Sequence, residues 1–403
     1  MSTTSLSTQT LAIDGGSPVR VSFLPYGRQS VEEADVQAVV EVLRSEWLTT
    51  GPKVGEFEEA FAARVGATHA VSFSSGTAAL HAASLAAGLK AGDEAVTTPI
   101  SFAATANCVL YQGATPVFAD VSSDTLNLDP EQVARKVSAN TRAILPVDYA
   151  GHPADLSPIL EIAKRHRCIV IEDACHALGA EYGGRRVGSI ADMTVFSFHP
   201  VKHITTGEGG MVTTDNPQFA ETLRRFRNHG FSSEAREHQQ TGQWHYEMVL
   251  LGFNCRLPDI ACALGLEQLK RLEANLVRRR AIAAMYAVAF REIPGVIPPP
   301  VRAGVNSAWH LYPIRLDLSR LTANRAQVFR ALRAENIGVN VHYIPVHYHP
   351  YYRDRFGSRI GEFPVAETAY DRLISLPMFH GMNDGDVEDV IHAVEKVLAH
   401  YLK

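Results

Sequence analysis

Between residues 70 and 198, short β-branched runs alternate with segments of helical period, and this alternation limits the possible folds more than any other feature of the chain. The runs are Ala70–Phe73, Glu94–Thr98, Pro116–Val121, Ala143–Val147, Cys168–Glu172 and Met193–Phe198. Between them, Gly76–Gly88, Phe102–Gln112 and Ser157–His166 space their apolar residues three and four apart. Strands separated by helices are joined by crossovers, which predicts an α/β fold with a mostly parallel sheet covered on both faces. Ligands of such sheets collect at the carboxyl ends of the strands, so residues just after each run are the first candidates for chemistry.

Ahead of this region, Ser30-x-x-Glu33 predicts a capping box opening a helix from Ser30 to Glu46. After it comes a polar stretch from Ser232 to His245. Asp259 to Ile293 then reads as one long helix or two broken ones, and Pro298-Pro299-Pro300 marks a boundary. Beyond the prolines, Trp309–Leu316 and Gly338–Ile344 read as strands and Ala323–Glu335 and Asp384–Tyr401 as helices. The expected organisation is a large domain over residues 1–270 and a smaller C-terminal α+β domain over 271–403.

The 403 residues, 46% of them apolar, can bury a large core without disulfide or metal. A net charge of −5 with no basic block gives no electrostatic support for a nucleic-acid or anionic-membrane partner, so small molecules are the expected ligands. Cys108, Cys168, Cys175, Cys255 and Cys262 are odd in number, form no C-x-x-C pair and read as reduced. The N-terminus has no signal-peptide pattern and no run approaches a membrane span, so a cytoplasmic protein is expected; no metal site is expected either.

The run Cys168–Glu172 delivers Asp173 to a strand end, where it is either a cap or rim ion pair, or a ligand of the site. Lys202 follows the run Met193–Phe198 and precedes the glycine turn Gly207-Glu208-Gly209-Gly210. A lone lysine is usually solvated. At such a turn, desolvation would instead favour a neutral, nucleophilic amine. Ser75-Gly76-Thr77 is either a capped helix start or a phosphate cradle, to which Ser197 could add a hydroxyl. Phe102 is a core aromatic or a ring stacked on a planar cofactor.

Taken together, Ser75-Gly76-Thr77, Ser101-Phe102, Glu172-Asp173-Ala174-x-His176, Ser197-Phe198-His199-x-x-Lys202 and Gly207-Glu208-Gly209-Gly210 resemble the DegT/StrS family of pyridoxal-phosphate-dependent nucleotide-sugar aminotransferases, of fold type I. The resemblance implies that Lys202 carries pyridoxal phosphate and later shuttles a proton, and that Asp173 pairs with the cofactor's pyridine nitrogen. It implies further that His176 lies near the phenolic oxygen, that Phe102 stacks on the ring, and that Ser75, Gly76, Thr77 and Ser197 hold the phosphate. Asn254 matches a family asparagine that reaches a neighbouring subunit's phosphate, implying a homodimer with shared active sites; otherwise Asn254 is a turn residue.

Within the family, Arg227-Asn228-His229-Gly230, Trp244-His245-Tyr246-Glu247-Met248 and Asn340 to His347 resemble the branch that aminates carbon 4 of UDP-4-keto-6-deoxy-N-acetyl-L-altrosamine on the way to pseudaminic acid. L-glutamate is the implied amino donor. Thr50, His342 and Tyr343 are the implied sugar contacts. Departures from the common pattern are His176 for glutamine, Ser101 for threonine and Cys255 for tyrosine. The alternatives are another 3- or 4-keto nucleotide sugar, as in the aminoarabinose and perosamine branches, or a non-enzymatic regulator that binds pyridoxal phosphate.

Overall fold

The computed structural model describes residues 10–232 and 244–403, so most of the polar stretch Ser232–His245 lies outside the described residues. Its largest sheet has seven strands: β1 (His69–Phe73), β2 (Glu94–Thr97), β3 (Thr115–Phe118), β4 (Thr141–Leu145), β5 (Ile169–Asp173), β8 (Met193–Ser197) and β9 (Gly210–Thr214), in the order β1-β9-β8-β5-β4-β2-β3. All adjacent pairs are parallel except the two made by β9, which runs antiparallel to both β1 and β8. A short second sheet joins β6 (Glu181–Tyr182) to β7 (Arg185–Arg186) and β11 (Val305–Asn306). The third pairs β10 (Val296–Ile297) and β13 (Leu373–Leu376) with the intervening β12 (Tyr312–Leu316).

The two-residue side-chain period of the strands explains why the large sheet is covered twice. Val71, Phe73, Met193 and Val195 enter one apolar cluster with the helix Gly76–Ala86, whereas Ala70, Phe196 and Phe198 enter another with Phe57 and Phe61 of the helix Pro52–Val65. Each large side chain fully buried in this way contributes roughly 1.5–3 kcal/mol. A further core forms around Tyr286, Tyr312, Ile314, Leu332 and Val394, and Leu11 and Leu24 pack into it. Glu335 ties that N-terminal segment down, accepting from the amides of Ala12 and Val19, each at 2.9 Å.

Each of the six runs expected from the sequence forms a strand of the large sheet, with ends displaced by up to three residues. Asp259–Ile293 forms two helices, Asp259–Lys270 and Leu272–Glu292. Two local expectations fail. The first long helix spans Glu33–Leu43, and its capping box is Glu32 with Asp35, not Ser30 with Glu33. Asp35 Oδ2 accepts from the Glu32 amide at 2.8 Å and also takes a hydrogen bond from Gln268, so a tertiary partner selects the cap. Gly338–Ile344 is not a strand: apart from single bridges at Ile337 and Asn340 its backbone leaves the sheet, and His342 and Tyr343 turn toward the large sheet's strand ends. Among the described residues no helix is long and apolar enough to cross a membrane.

Candidate active site

The carboxyl ends of β1, β2, β4, β5 and β8 meet at one cavity of about 370 Å³. Ser75, Gly76 and Thr77 follow β1 and begin the helix Gly76–Ala86. The Ser75 hydroxyl caps it by accepting from the Ala78 amide at 3.1 Å. The first amides of a helix have no intrahelical acceptor, and here Gly76 and Thr77 line the cavity. A Cβ on Gly76 would lie 3.0 Å from Ser197 Cβ and 3.2 Å from its Oγ, and one on Gly210 would lie 2.5 Å from Ser75 O. The two glycines therefore let β8 and β9 close around the helix start, forming a cradle of hydroxyls and amides.

On the far side of the cradle, Asp173 ends β5 and is 5% exposed. Its Oδ2 accepts from Thr105 Oγ1 at 2.6 Å, and its Oδ1 accepts from the Cys175 amide at 3.2 Å. The Thr105 hydroxyl is itself paired with Ser101 Oγ at 2.6 Å. Ser101 stands in the turn before the helix Ala104–Tyr111 and Thr105 in that helix's first turn, so their pairing is made by the bend between them. Motif matching alone does not single out Thr105.

Lys202 lines the same cavity, and desolvation pushes its amine below the usual range against the opposing influence of Cys175 and Asp173. The adjacent His203 does not line the cavity; it is buried, with Nε2 2.9 Å from Ala308 O. His176 Nε2 lies 2.9 Å from Tyr343 Oη, while His176 Nδ1 has no protein partner. Burial, then the positive charges of Lys202 and the neighbouring histidines, hold His176 well below its usual pKa. His342, held at 2.9 Å from Ser375 Oγ, is pushed down to about 4 by burial and Lys202. Phe102 is 62% exposed at the cavity edge and contacts Tyr343 at a ring separation of 6.2 Å.

Thr50 and Asn254 are not brought to this cavity. Thr50 lines a separate pocket with Asn228 and Arg256, and Asn254 is exposed and bridges to Asn228. The cavity also takes in residues outside the motifs, among them Tyr26 and His310. These come from loops with no local pattern of their own.

A cradle with room for a phosphate, a buried carboxylate fixed by two donors and a desolvated amine around one cavity fit pyridoxal phosphate, whose anionic, basic and aldehyde ends need those three partners. Residues 29–395 match the model of the DegT/DnrJ/EryC1/StrS aminotransferase family. The chain is 45% identical over 381 residues to the spore coat polysaccharide biosynthesis protein SpsC of Bacillus subtilis, covering 94% of this chain and 98% of that one. It resembles the solved Helicobacter pylori PseC, an aminotransferase involved in the biosynthesis of pseudoaminic acid, with a TM-score of 0.87, 34% identity and 94% and 100% of the two chains covered. The PLP form of Spr1654 from Streptococcus pneumoniae, described as a sugar aminotransferase, superposes with a TM-score of 0.88, 30% identity and 94% and 100% coverage. The chain belongs to the DegT/DnrJ/EryC1/StrS aminotransferase family, and is a pyridoxal-phosphate-dependent sugar aminotransferase of fold type I.

Proposed function

We propose that this enzyme moves the amino group of L-glutamate to carbon 4 of UDP-4-keto-6-deoxy-N-acetyl-L-altrosamine in the cytoplasm, with Lys202 as the amine that carries the cofactor. The observation that carries this reading is the convergence of Lys202, Asp173 and the Ser75–Thr77 cradle on one cavity. Support for the sugar comes from the likeness to PseC and from the placement of His342 and Tyr343 on the same cavity.

Bound here, pyridoxal phosphate supplies an electron sink and stores the amino group between two half-reactions. Asp173, fixed by Thr105 and the Cys175 amide, holds the proton on the pyridine nitrogen. The first amides of the helix Gly76–Ala86, with the hydroxyls of Ser75, Thr77 and Ser197, bind the phosphate. His176, whose Nε2 is paired with Tyr343, would lie near the ring's phenolic oxygen, and Phe102 would stack on the ring. Lys202 Nζ, neutral once freed, takes the proton from the donor's α-carbon and returns one to the sugar's carbon 4 in the second half. The donor leaves as 2-oxoglutarate and its nitrogen as the sugar amine. Water released in one half is consumed in the other, so no outside oxidant enters.

We infer also that two chains share each site. Leu251 is 75% exposed and Phe253 48%, and Phe253 meets Tyr111, which is 50% exposed, across the ring of His81. An apolar surface of this kind beside Asn254 supports a second copy seated on it, bringing Asn254 and Thr50 to the partner's cavity. Mixing Lys202→Ala with Asn254→Ala chains tests this: recovery of activity in hybrids supports shared sites, and none overturns them.

The substrate is tested by offering glutamate with a panel of 3-keto and 4-keto nucleotide sugars and locating the new amine by NMR. Preference for a 3-keto sugar would overturn the assignment. Borohydride reduction of the loaded enzyme should fix the cofactor on the peptide containing Lys202.

A further inference from the structure

Behind Lys202 lies a buried cation that has no carboxylate partner among the described residues. Arg279, on the helix Leu272–Glu292, is 0% exposed. Its Nη1 donates to three backbone carbonyls, Met378 O at 3.0 Å, Trp309 O at 3.1 Å and His310 O at 3.3 Å. Its Nε and Nη2 have no hydrogen-bond partner among the described residues. A buried guanidinium left without a counter-charge opposes stability, so its presence calls for another account.

The carbonyls that Arg279 holds place one particular imidazole. Trp309 sits in the left-handed region at φ +50°, and the turn through it delivers His310 to the cavity. The same turn is pinned to the large sheet's loops by Ala308 N to Gly151 O at 2.9 Å and by Leu311 N to Ala150 O at 3.2 Å. Three imidazoles then stand in a row, with His310 4.4 Å from His176 and 5.6 Å from His203 between ring centroids. They are not a metal site: no group among the described residues is placed to hold a metal ion.

We propose that Arg279 is a positioning residue of the aminotransferase reaction, locking the Trp309–His310 turn so that His310 packs on His176 and setting a fixed positive charge behind the reactive amine. The proposal rests on the reading of Lys202 as that amine. Lys202 faces Asp173, Cys175 and His176 from β5 and the turn after it, His203 from its own loop, His310 and His342 from the crossing segments, and Arg279 from behind. Desolvation is the main influence favouring neutral Lys202; Cys175 and then Asp173 oppose it, and Arg279 adds a smaller push in the same direction as desolvation. Arg279 itself faces His203, His310, Lys202 and His380, all of which it holds toward the uncharged form. The arrangement keeps positive charge off the amine that must accept a proton, without placing a second acid beside it.

The test is the pH at which Lys202 becomes reactive in full-length protein stripped of cofactor, read as acetic anhydride labelling of its peptide by mass spectrometry against the exposed Lys90 and Lys403. Arg279→Met should raise the half-reactive pH of Lys202, since a positive charge that disfavours the ammonium form is removed, and leave the exposed lysines unmoved. A folded Arg279→Met protein with an unchanged midpoint overturns the proposal. Should that variant fail to fold, Arg279→Lys decides: it keeps the charge and a donor for the Trp309, His310 and Met378 carbonyls, so the Lys202 midpoint should stay where it is in the unaltered protein, and a raised midpoint in that folded variant overturns the proposal. Neither readout depends on where borohydride fixes the cofactor, so failure of the Lys202 reading remains separately visible.

Discussion

Thr105 shows how a residue outside every motif enters the chemistry. Its hydroxyl donates to Asp173 at 2.6 Å and so orients the carboxylate proposed to pair with the cofactor. Hydrogen bonds to charged groups are worth about 1.5–3 kcal/mol, so Thr105→Val should lower kcat/KM by roughly 10-fold or more while the fold persists. Steady-state kinetics with saturating cofactor would check this, and an unchanged kcat/KM would remove Thr105 from the site. Asp173→Asn should cost roughly 100-fold or more, because the neutral amide no longer favours a charged ring. The loss should sit in kcat rather than in cofactor binding. Sequence reading reached Asp173, Lys202 and the glycine turn because each follows a strand end. It did not reach His310 or Arg279, whose mutual contact spans 31 positions and whose other partners lie on separate elements that share no spacing with them.

At the level of elements, the cradle depends on a helix start meeting a strand start. Gly210 opens β9, and Ser75 O lies 2.5 Å from where a Cβ on it would stand, so only a glycine leaves room for that carbonyl. Gly210→Ala must push the helix Gly76–Ala86 away from β9. We expect it to weaken cofactor binding by at least about 10-fold, a loss of roughly 1.4 kcal/mol, as measured by absorbance titration of stripped protein. Binding as tight as in the unaltered enzyme would show that the cradle tolerates the shift. Elements with strong periodicity were legible: six strand runs and the helix Asp384–Tyr401 stand where their patterns put them. Ser30–Glu46 was legible as a helix but not its cap, since Asp35 answers to Gln268 and Arg271 from 233 and 236 residues away. Gly338–Ile344 carries a strand-like composition, yet its side chains serve the cavity and not a sheet, and composition cannot distinguish those uses.

The whole molecule carries two opposed pH dependences. Burial pushes Glu172 up to about 7 and Asp148 well above the usual carboxylate range, and each is wholly buried in the strand region beside Asp173. Such groups stabilise the fold while protonated. That contribution is complete below the usual value of 4.5 for Glu172 and is lost as pH rises through about 7. His176, His203 and His310 act in the other direction: held below 6.5, they stabilise while neutral, and their contribution is lost as pH falls through their lowered values. Glu172→Gln keeps the protonated shape, so relative to it the unaltered enzyme should lose melting temperature as pH rises from 5 toward 8. A difference between the two proteins that stays flat over this range would show that Glu172 is not held protonated.

Local pattern alone determined that the chain alternates strands and helices, which residues cap strand ends, and through motif resemblance the family to which it belongs. These follow from side-chain periodicity and short-range hydrogen bonding, which are written in neighbouring residues. Only the tertiary structure decided that Thr105 holds Asp173, that Tyr343 meets His176 and that Arg279 holds the Met378 carbonyl. Those contacts join segments from 68 to 167 residues apart, and their partners are chosen by how the layers pack, not by any rule local to either segment.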